Sequence, residues 1–202
     1  MIVPDKGLDK VFCFGFEQGK FIPTQQMTNQ PSEQVIENSG VASREGAGPR
    51  HFIQHPHADI VYVINELDST VVTYQFDRGT GHLTPIQNLS ALDSDFIGNS
   101  WGASIIVDFQ GEYLYASNRG ADSISVFAID PTTHKLSFSH CIDTLGKTPR
   151  FITLSPDHQY LYALNEDSHS IACFRLEPAI GKPNDTRLQE GFGSPVCMVF
   201  LT

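Results

Sequence analysis

Apolar residues along the chain come in short runs and alternations, each closed by Gly, Asp or Pro, and the same order of them occurs three times. Ile60-Val61-Tyr62-Val63 leads to Asn65, after which Val71, Tyr74 and Phe76 follow at alternating spacing. The anchor recurs as Asn118, preceded by Tyr113-Leu114-Tyr115-Ala116 and followed by Ile124, Phe127 and Ile129. It recurs again as Asn165, with Tyr160-Leu161-Tyr162-Ala163 before it and Ile171, Phe174 and Leu176 after it. No window sustains apolar positions at i, i+3, i+4 and i+7, so helices should be few. A repeat of about 50 residues built from short β runs predicts an all-β chain, a β-propeller of four-stranded antiparallel blades.

The first complete copy reads as strand A over about His51 to His55, strand B over Ile60 to Asn65, strand C over Thr70 to Phe76 and strand D over Leu83 to Leu89. Asp, Gly and Pro between them supply the positive or fixed φ that tight turns need. The copies divide the chain into a partial blade at 1–45, blades at 46–97, 98–146 and 147–193, and a last strand at 194–202. In the partial blade Asp5 takes the anchor position, Val11, Phe14 and Phe16 form strand C, and Lys20-Phe21-Ile22 starts strand D, while strand A and most of B are missing. Ser194 to Thr202 reads as a strand A alone. About four blades are therefore expected, either closed on themselves by the C-terminal strand or forming part of a larger ring. Unpaired blade edges also make self-association a candidate property.

Charge narrows the choice of partner. The formal net charge is −10, which argues against nucleic acid or an anionic membrane and leaves room for an anionic small molecule where the basic residues concentrate. No apolar run approaches a membrane span and no basic-then-apolar leader is visible, so a cytoplasmic location is expected. Cys13, Cys141, Cys173 and Cys197 are widely spaced and read as buried free thiols rather than zinc ligands or disulfides. No phosphate loop, nucleophile elbow or zincin motif occurs, and neither metal nor cofactor is expected.

Hairpin geometry supplies the candidate site. The residue entering strand A lies beside the residue leaving strand B, so Arg50 should face Glu66, Arg150 should face Glu166, and Ala103 should face Arg119. Lys6 occupies the Glu66 position in the partial blade. All these positions should gather on one face around the central channel, with Arg119 lacking an opposed carboxylate and so open to an external anion. His51 is divided between packing and ligand contact. Trp101, the only tryptophan, follows the 91–100 connection and could stack on a ligand, although packing between blades is the commoner role. His55 and His57 read as turn residues at the far end of the hairpin, not as a metal site.

The segments GAGPRHFIQHP, YVINELDSTVVTYQF, WGASIIVDFQGEYLYASNRGADSISVF and PRFITLSPDHQYLYALNE resemble the seven-bladed lactonase family, and the likeness runs over Met1 to Thr202. That family includes the propeller-type 6-phosphogluconolactonases and the 3-carboxy-cis,cis-muconate lactonizing enzyme. The resemblance implies a part of a seven-bladed ring, with Arg50, Glu66 and Arg119 as catalytic residues. Arg50 and Arg119 would hold an anionic lactone or carboxylate and polarise its carbonyl, and Glu66 would be the general base. His51, Arg150, Lys6, Trp101 and Glu166 would contact the substrate. A family histidine belongs to a strand A upstream of VPDKG that this chain lacks. The implied activity is metal-independent hydrolysis of a sugar lactone, 6-phosphogluconolactone first, with muconate cycloisomerisation or a non-catalytic binding module as alternatives.

Overall fold

The computed structural model describes residues 1–23, 40–177 and 182–201, with the side chains at 17, 23 and 182–190 left aside. Four antiparallel sheets of four strands each follow one another along the chain, and no helix occurs among the described residues. The first sheet holds β1 (Ile2–Asp5), β2 (Lys10–Glu17), β3 (Lys20–Pro23) and β4 (Val41–Ala42). The second holds β5 (Pro49–Gln54), β6 (Ile60–Asn65), β7 (Thr70–Asp77) and β8 (His82–Ser90). The third holds β9 (Trp101–Val107), β10 (Tyr113–Arg119), β11 (Ser123–Ile129) and β12 (Leu136–Asp143). The fourth holds β13 (Pro149–Leu154), β14 (Tyr160–Asn165), β15 (Ser170–Glu177) and β16 (Lys182–Glu190). Each of the last three is a simple meander, strand pairing next strand.

Successive side chains on a strand point to opposite faces, and here both faces of each middle sheet meet another sheet. That is why the second strands are almost continuously apolar. Ala116 belongs to the core between the second and third sheets, with Tyr62, Ile64, Ile105 and Phe127, whereas its neighbour Tyr115 belongs to the core between the third and fourth, with Ile152, Leu161 and Phe174. A third core joins the first two sheets through Val11, Cys13, Val61, Val63 and Tyr74.

Hydrogen bonds at one recurring turn fix how each sheet hands on to the next. Asp9, Ser69, Asp122 and His169 each stand four residues after the anchor position and each adopts a left-handed φ, between 48° and 53°. The carbonyl of each accepts from the chain leaving its own sheet: from the N–H of Ser43, Ala91, Thr144 and Gly191, at 2.7–3.1 Å. Side chains then take the chain entering the following sheet, Asp9 Oδ1 accepting from Gly48 N at 2.7 Å and Asp122 Oδ1 from Thr148 N at 2.9 Å. The anchors add a second tie, since Asn118 Nδ2 donates to Ala91 O at 3.0 Å and Asn165 Nδ2 to Thr144 O at 2.9 Å.

Three readings of the sequence need correction. First strands start earlier than expected, at Pro49 rather than His51, because the pairing slips by one residue at Arg50, between Pro49↔Asn65 and His51↔Ile64. The same slip falls at Arg150 and at Ala103–Ser104, so every complete sheet carries a bulge at its inner edge. In the first sheet the B strand keeps four residues, and its outer edge is split: β3 covers Phe14–Glu17 of β2 while β4 covers Lys10–Val11. Finally, residues 194–201 form no strand, and the ladder partners of β1 all lie in β2. The C-terminal segment rests on its own fourth sheet, Phe200 against Tyr162 with ring centroids 5.7 Å apart, so it does not complete a four-blade ring. A lone first strand has no hydrogen-bonding partner beside it, and β1 is three sheets away. The polar stretch from Ser32 to Gly48 reads in the sequence as a connection between the first two blades, and its residues 32–39 lie outside the described residues.

Candidate active site

Glu66 leaves the end of β6 and receives three cations on its two oxygens. Lys6 Nζ stands 3.1 Å from Oε1, Arg119 Nη2 3.2 Å from the same oxygen, and Arg50 Nε 3.2 Å from Oε2. These four side chains come from three consecutive sheets, and three cations on one carboxylate leave a surplus of two positive charges. Glu66 and Arg119 are 14 % and 15 % exposed and Lys6 52 %, so the cluster is a recess with its lysine at the rim.

Backbone geometry brings the parts together. The bulge at Arg50 turns its guanidinium along the sheet edge, where Nη1 also donates to Ala103 O. Gly102 permits the approach of β9: a Cβ there would stand 2.3 Å from Asn65 O, and Gly102 N instead donates to Glu66 O at 3.0 Å. Gly48, at φ 66°, leaves room for Lys6, whose Cγ would lie 3.0 Å from an added Cβ. Arg119 Nη2 reaches Gly102 O at 3.5 Å, but its Nε is buried with no acceptor among the described residues. A buried donor without a partner costs about 1–3 kcal/mol, which the fold tolerates here.

The electrostatics follow from this crowding. Burial pushes the Glu66 carboxyl up, but the Lys6 ammonium and the Arg119 guanidinium outweigh it and hold the pKa below the ordinary carboxylate value. Arg50 is lowered by burial first and by the repulsion of Arg119 next, with Arg150 contributing in the same sense. Such a cluster keeps Glu66 ionised and is short of negative charge.

The remaining sequence candidates divide. Arg119 is register partner to Trp101, not Ala103, because of the bulge in β9, and it is not unopposed: it reaches Glu66 of the preceding sheet. Trp101 is 42 % exposed, so its ring is available beside Arg119 instead of being packed away between sheets. Arg150 and Glu166 form their own half-exposed pair at 3.4 Å, one sheet further on. His51 is a tie between blades. Its Nδ1 accepts from Ile105 N at 3.2 Å and from the Ser104 hydroxyl at 3.4 Å, which fixes a neutral imidazole with its proton on Nε2. Burial, then the Arg50 charge, lowers its pKa and keeps it neutral. Sequence reasoning missed Leu67, 46 % exposed against Gly48, and the two inward carbonyls of Gly102 and Ala103. The Gly-Pro at 48–49 was the available signal.

At the other end of the hairpins the histidines are structural. His55 is buried, its Nε2–H donating to Gly111 O at 3.2 Å and its Nδ1 accepting from His57 N at 3.1 Å, which ties two sheets rather than decorating a turn. A cavity of about 460 Å³ is lined there by His55, His57 and His134, and one of about 320 Å³ by Asp108, Asp157 and Arg175. Asp108 and Asp157 spend their oxygens on the N–H groups of Glu112, Tyr113 and Gln159, capping turns. No group of three or more His, Cys, Asp or Glu among the described residues could hold a metal ion, and no helix is long and apolar enough to cross a membrane. None of the four cysteines is in a disulfide; Cys13 is buried as expected, whereas Cys141 and Cys173 are half-buried and Cys197 is exposed.

Three comparisons bear on this arrangement. The family described as Lactonase, 7-bladed beta-propeller matches residues 1–200. The 6-phosphogluconolactonase of Bacillus subtilis is 32 % identical over 157 residues, 77 % of this chain and 41 % of that protein. The 6-phosphogluconolactonase of Pectobacterium carotovorum is 42 % identical over 84 residues, 42 % of this chain and 25 % of that protein. Among solved structures, the periplasmic gluconolactonase of Pseudomonas aeruginosa superimposes with a TM-score of 0.86 at 25 % identity, covering 100 % of this chain and 53 % of that one. The chain thus spans about half or less of the length of the relatives it matches.

Proposed function

The chain belongs to the seven-bladed β-propeller lactonase family, and from that premise we propose that its Glu66 cluster binds and hydrolyses an anionic sugar lactone, 6-phosphogluconolactone first among candidates. One observation carries the reading: three cations from three sheets converge on a single carboxylate, with a surplus of two positive charges in a recess. Arg50 and Arg119 are the groups to engage the substrate anion and to stabilise the oxyanion that forms when water adds to the lactone carbonyl.

Glu66 is the base in this scheme, and its environment sets a condition on that role. A carboxylate held by three cations is a weak base, far from the near-neutral pKa that serves proton transfer best. An incoming phosphate or carboxylate competes for Lys6, Arg50 and Arg119, draws them off Glu66 and raises its basicity as water is shed. Trp101, register partner of Arg119, and Leu67, against Gly48, are the half-exposed apolar side chains nearest to hand for packing on the sugar. The reaction needs no metal in this reading.

The test is hydrolysis of 6-phosphogluconolactone followed by proton release in a pH-stat, corrected for the spontaneous rate. Glu66→Gln is expected to reduce kcat by 100-fold or more, since a positioned base is worth roughly 10²–10⁴-fold. A Glu66→Gln protein with the wild-type rate rejects Glu66 as base, and turnover of a carboxymuconate in place of the lactone moves the substrate assignment.

A further inference from the structure

At the end remote from Glu66, the seam between the second and third sheets is held by imidazoles. His55 and His57 follow β5, and both reach into the turn after β9: His55 Nε2–H donates to Gly111 O at 3.2 Å and His57 Nε2–H to Phe109 O at 2.8 Å. The backbone N–H of His57 donates in turn to His55 Nδ1 at 3.1 Å. A ring nitrogen that accepts from an N–H carries no proton, so His55 fits this seam as a neutral imidazole, one nitrogen a donor and the other an acceptor. The repeat equivalents of His55 are Asp108 and Ser155, whose side chains bond within their own turns, to Glu112 N and to Asp157 Oδ1. Among the described residues the arrangement therefore belongs to this seam.

The His55 ring is closely enclosed. It is 5 % exposed, and Gly111, at φ 75°, is what admits it, since a Cβ there would stand 2.4 Å from Nε2. The ring of His134, from the turn between β11 and β12, lies 4.7 Å away, and that of His57 6.1 Å. Tyr62 of β6 stands at 6.5 Å, its hydroxyl donating to His134 O at 2.9 Å. The carboxylates nearby are turned to other work: Asp108 Oδ1 accepts from Glu112 N and Tyr113 N, and Asp130 Oδ1 from Thr132 N and Thr133 N. Glu112 and Tyr113 line the 460 Å³ cavity beside the three histidines. Burial is the largest influence on His55 and lowers its pKa; the Gly111 carbonyl raises it, the His134 and His57 rings lower it and Asp108 raises it, with the balance downward.

We propose that His55 is an acid-labile latch between the two sheets: a proton taken from solvent by Nδ1 turns that nitrogen from acceptor to donor, sets it against the His57 N–H, and releases the 55–57 turn from the 109–111 turn. The unfolded chain takes up this proton from the ordinary histidine value of 6.5 downward while the folded chain resists it. The stabilisation is thus fully present above 6.5 and is lost as pH falls through the lower folded value. The same two sheets carry Glu66 and Arg119, whose 3.2 Å contact crosses the seam at its other end. The latch therefore makes the mutual setting of these sheets answer to pH, in a window above that of the Glu66 carboxyl. The inference stands on the geometry of the seam and is independent of the catalytic reading.

The experiment compares the 202-residue chain with His55→Gln, whose amide can donate to Gly111 O and accept from His57 N but does not titrate. In urea titrations at about pH 7.5 and about pH 5.5, the unfolding constant of the wild type should rise about 10-fold more than that of the variant, the effect of one proton over one pH unit below the ordinary value. His51, the other neutral tie, is present in both proteins and cancels in the difference. Hydrogen exchange at the same two pH values, corrected for the intrinsic rate, should show the His57 amide losing protection in the wild type on acidification and keeping it in the variant. Imidazole nitrogen-15 shifts of the wild type, which need no variant, should show His55 neutral with its proton on Nε2 at the higher pH. Equal pH dependence in the two proteins, an unchanged His57 amide, or a His55 that is charged or carries its proton on Nδ1 at the higher pH would each overturn the proposal.

Discussion

Glu66 binds three cations and therefore answers to pH in a defined direction. Its folded pKa lies below the ordinary 4.5, so the stabilisation it provides is fully present above that value and is lost as pH falls through the folded one. Urea unfolding from roughly pH 6 down to pH 3 should show the wild type losing stability more steeply than Glu66→Gln below about pH 4.5; parallel slopes would mean the carboxylate is not held as described. Arg119 makes the second residue-scale case. It reaches Glu66 from a different sheet and the Gly102 carbonyl of its own, the position that the proposed oxyanion role requires. Arg119→Ala is expected to lower lactonase kcat/KM by about 100-fold, the range seen when one oxyanion donor is removed, with little loss of thermal stability.

Glycine and asparagine at fixed places in the elements decide whether those residues meet. Gly102 lets β9 touch the end of β6, and an added methyl would press on Asn65 O and on Ile64. Gly102→Ala should cost about 1–3 kcal/mol of stability, a fall of several degrees in Tm, and should reduce activity as well by moving Arg119. Asn118 is buried and ties the third sheet to the second through Ala91 O and to Ser125 Oγ at 2.8 Å. Asn118→Ala leaves those buried groups short of a donor and should lower the unfolding free energy by about 1–3 kcal/mol in a denaturant titration. Much at this scale was legible in the chain. The Asn65, Asn118 and Asn165 repeat located the strands because apolar alternation has one period and one meaning when both faces are covered. The bulges were not legible, since one extra residue at Arg50 leaves no trace in hydropathy, and from this came the mistaken pairing of Ala103 with Arg119. The gathering of Lys6 and Arg119 on the face of Glu66 was expected, but their direct contact with its carboxylate was not, because contacts between sheets depend on the close approach at Gly48 and Gly102 rather than on any hairpin offset.

Across the whole molecule, four sheets stack through three separate cores, and the recess forms where three of them meet. A site assembled this way depends on the angle between sheets, so it should be lost early on heating while the strands persist. A ligand protecting it should then raise Tm: with 6-phosphogluconate, the hydrolysis product, at 100 times its Kd the gain is about 2.7 kcal/mol, absent in Arg119→Ala. The most direct test of the central claim, that the Glu66 cluster is the lactone-hydrolysing site, is the initial rate of 6-phosphogluconolactone hydrolysis by wild type and Arg119→Ala side by side. Hydrolysis well above the spontaneous rate, falling about 100-fold in the variant, is the expected result; equal rates in the two proteins, or none above background in the wild type, would contradict it.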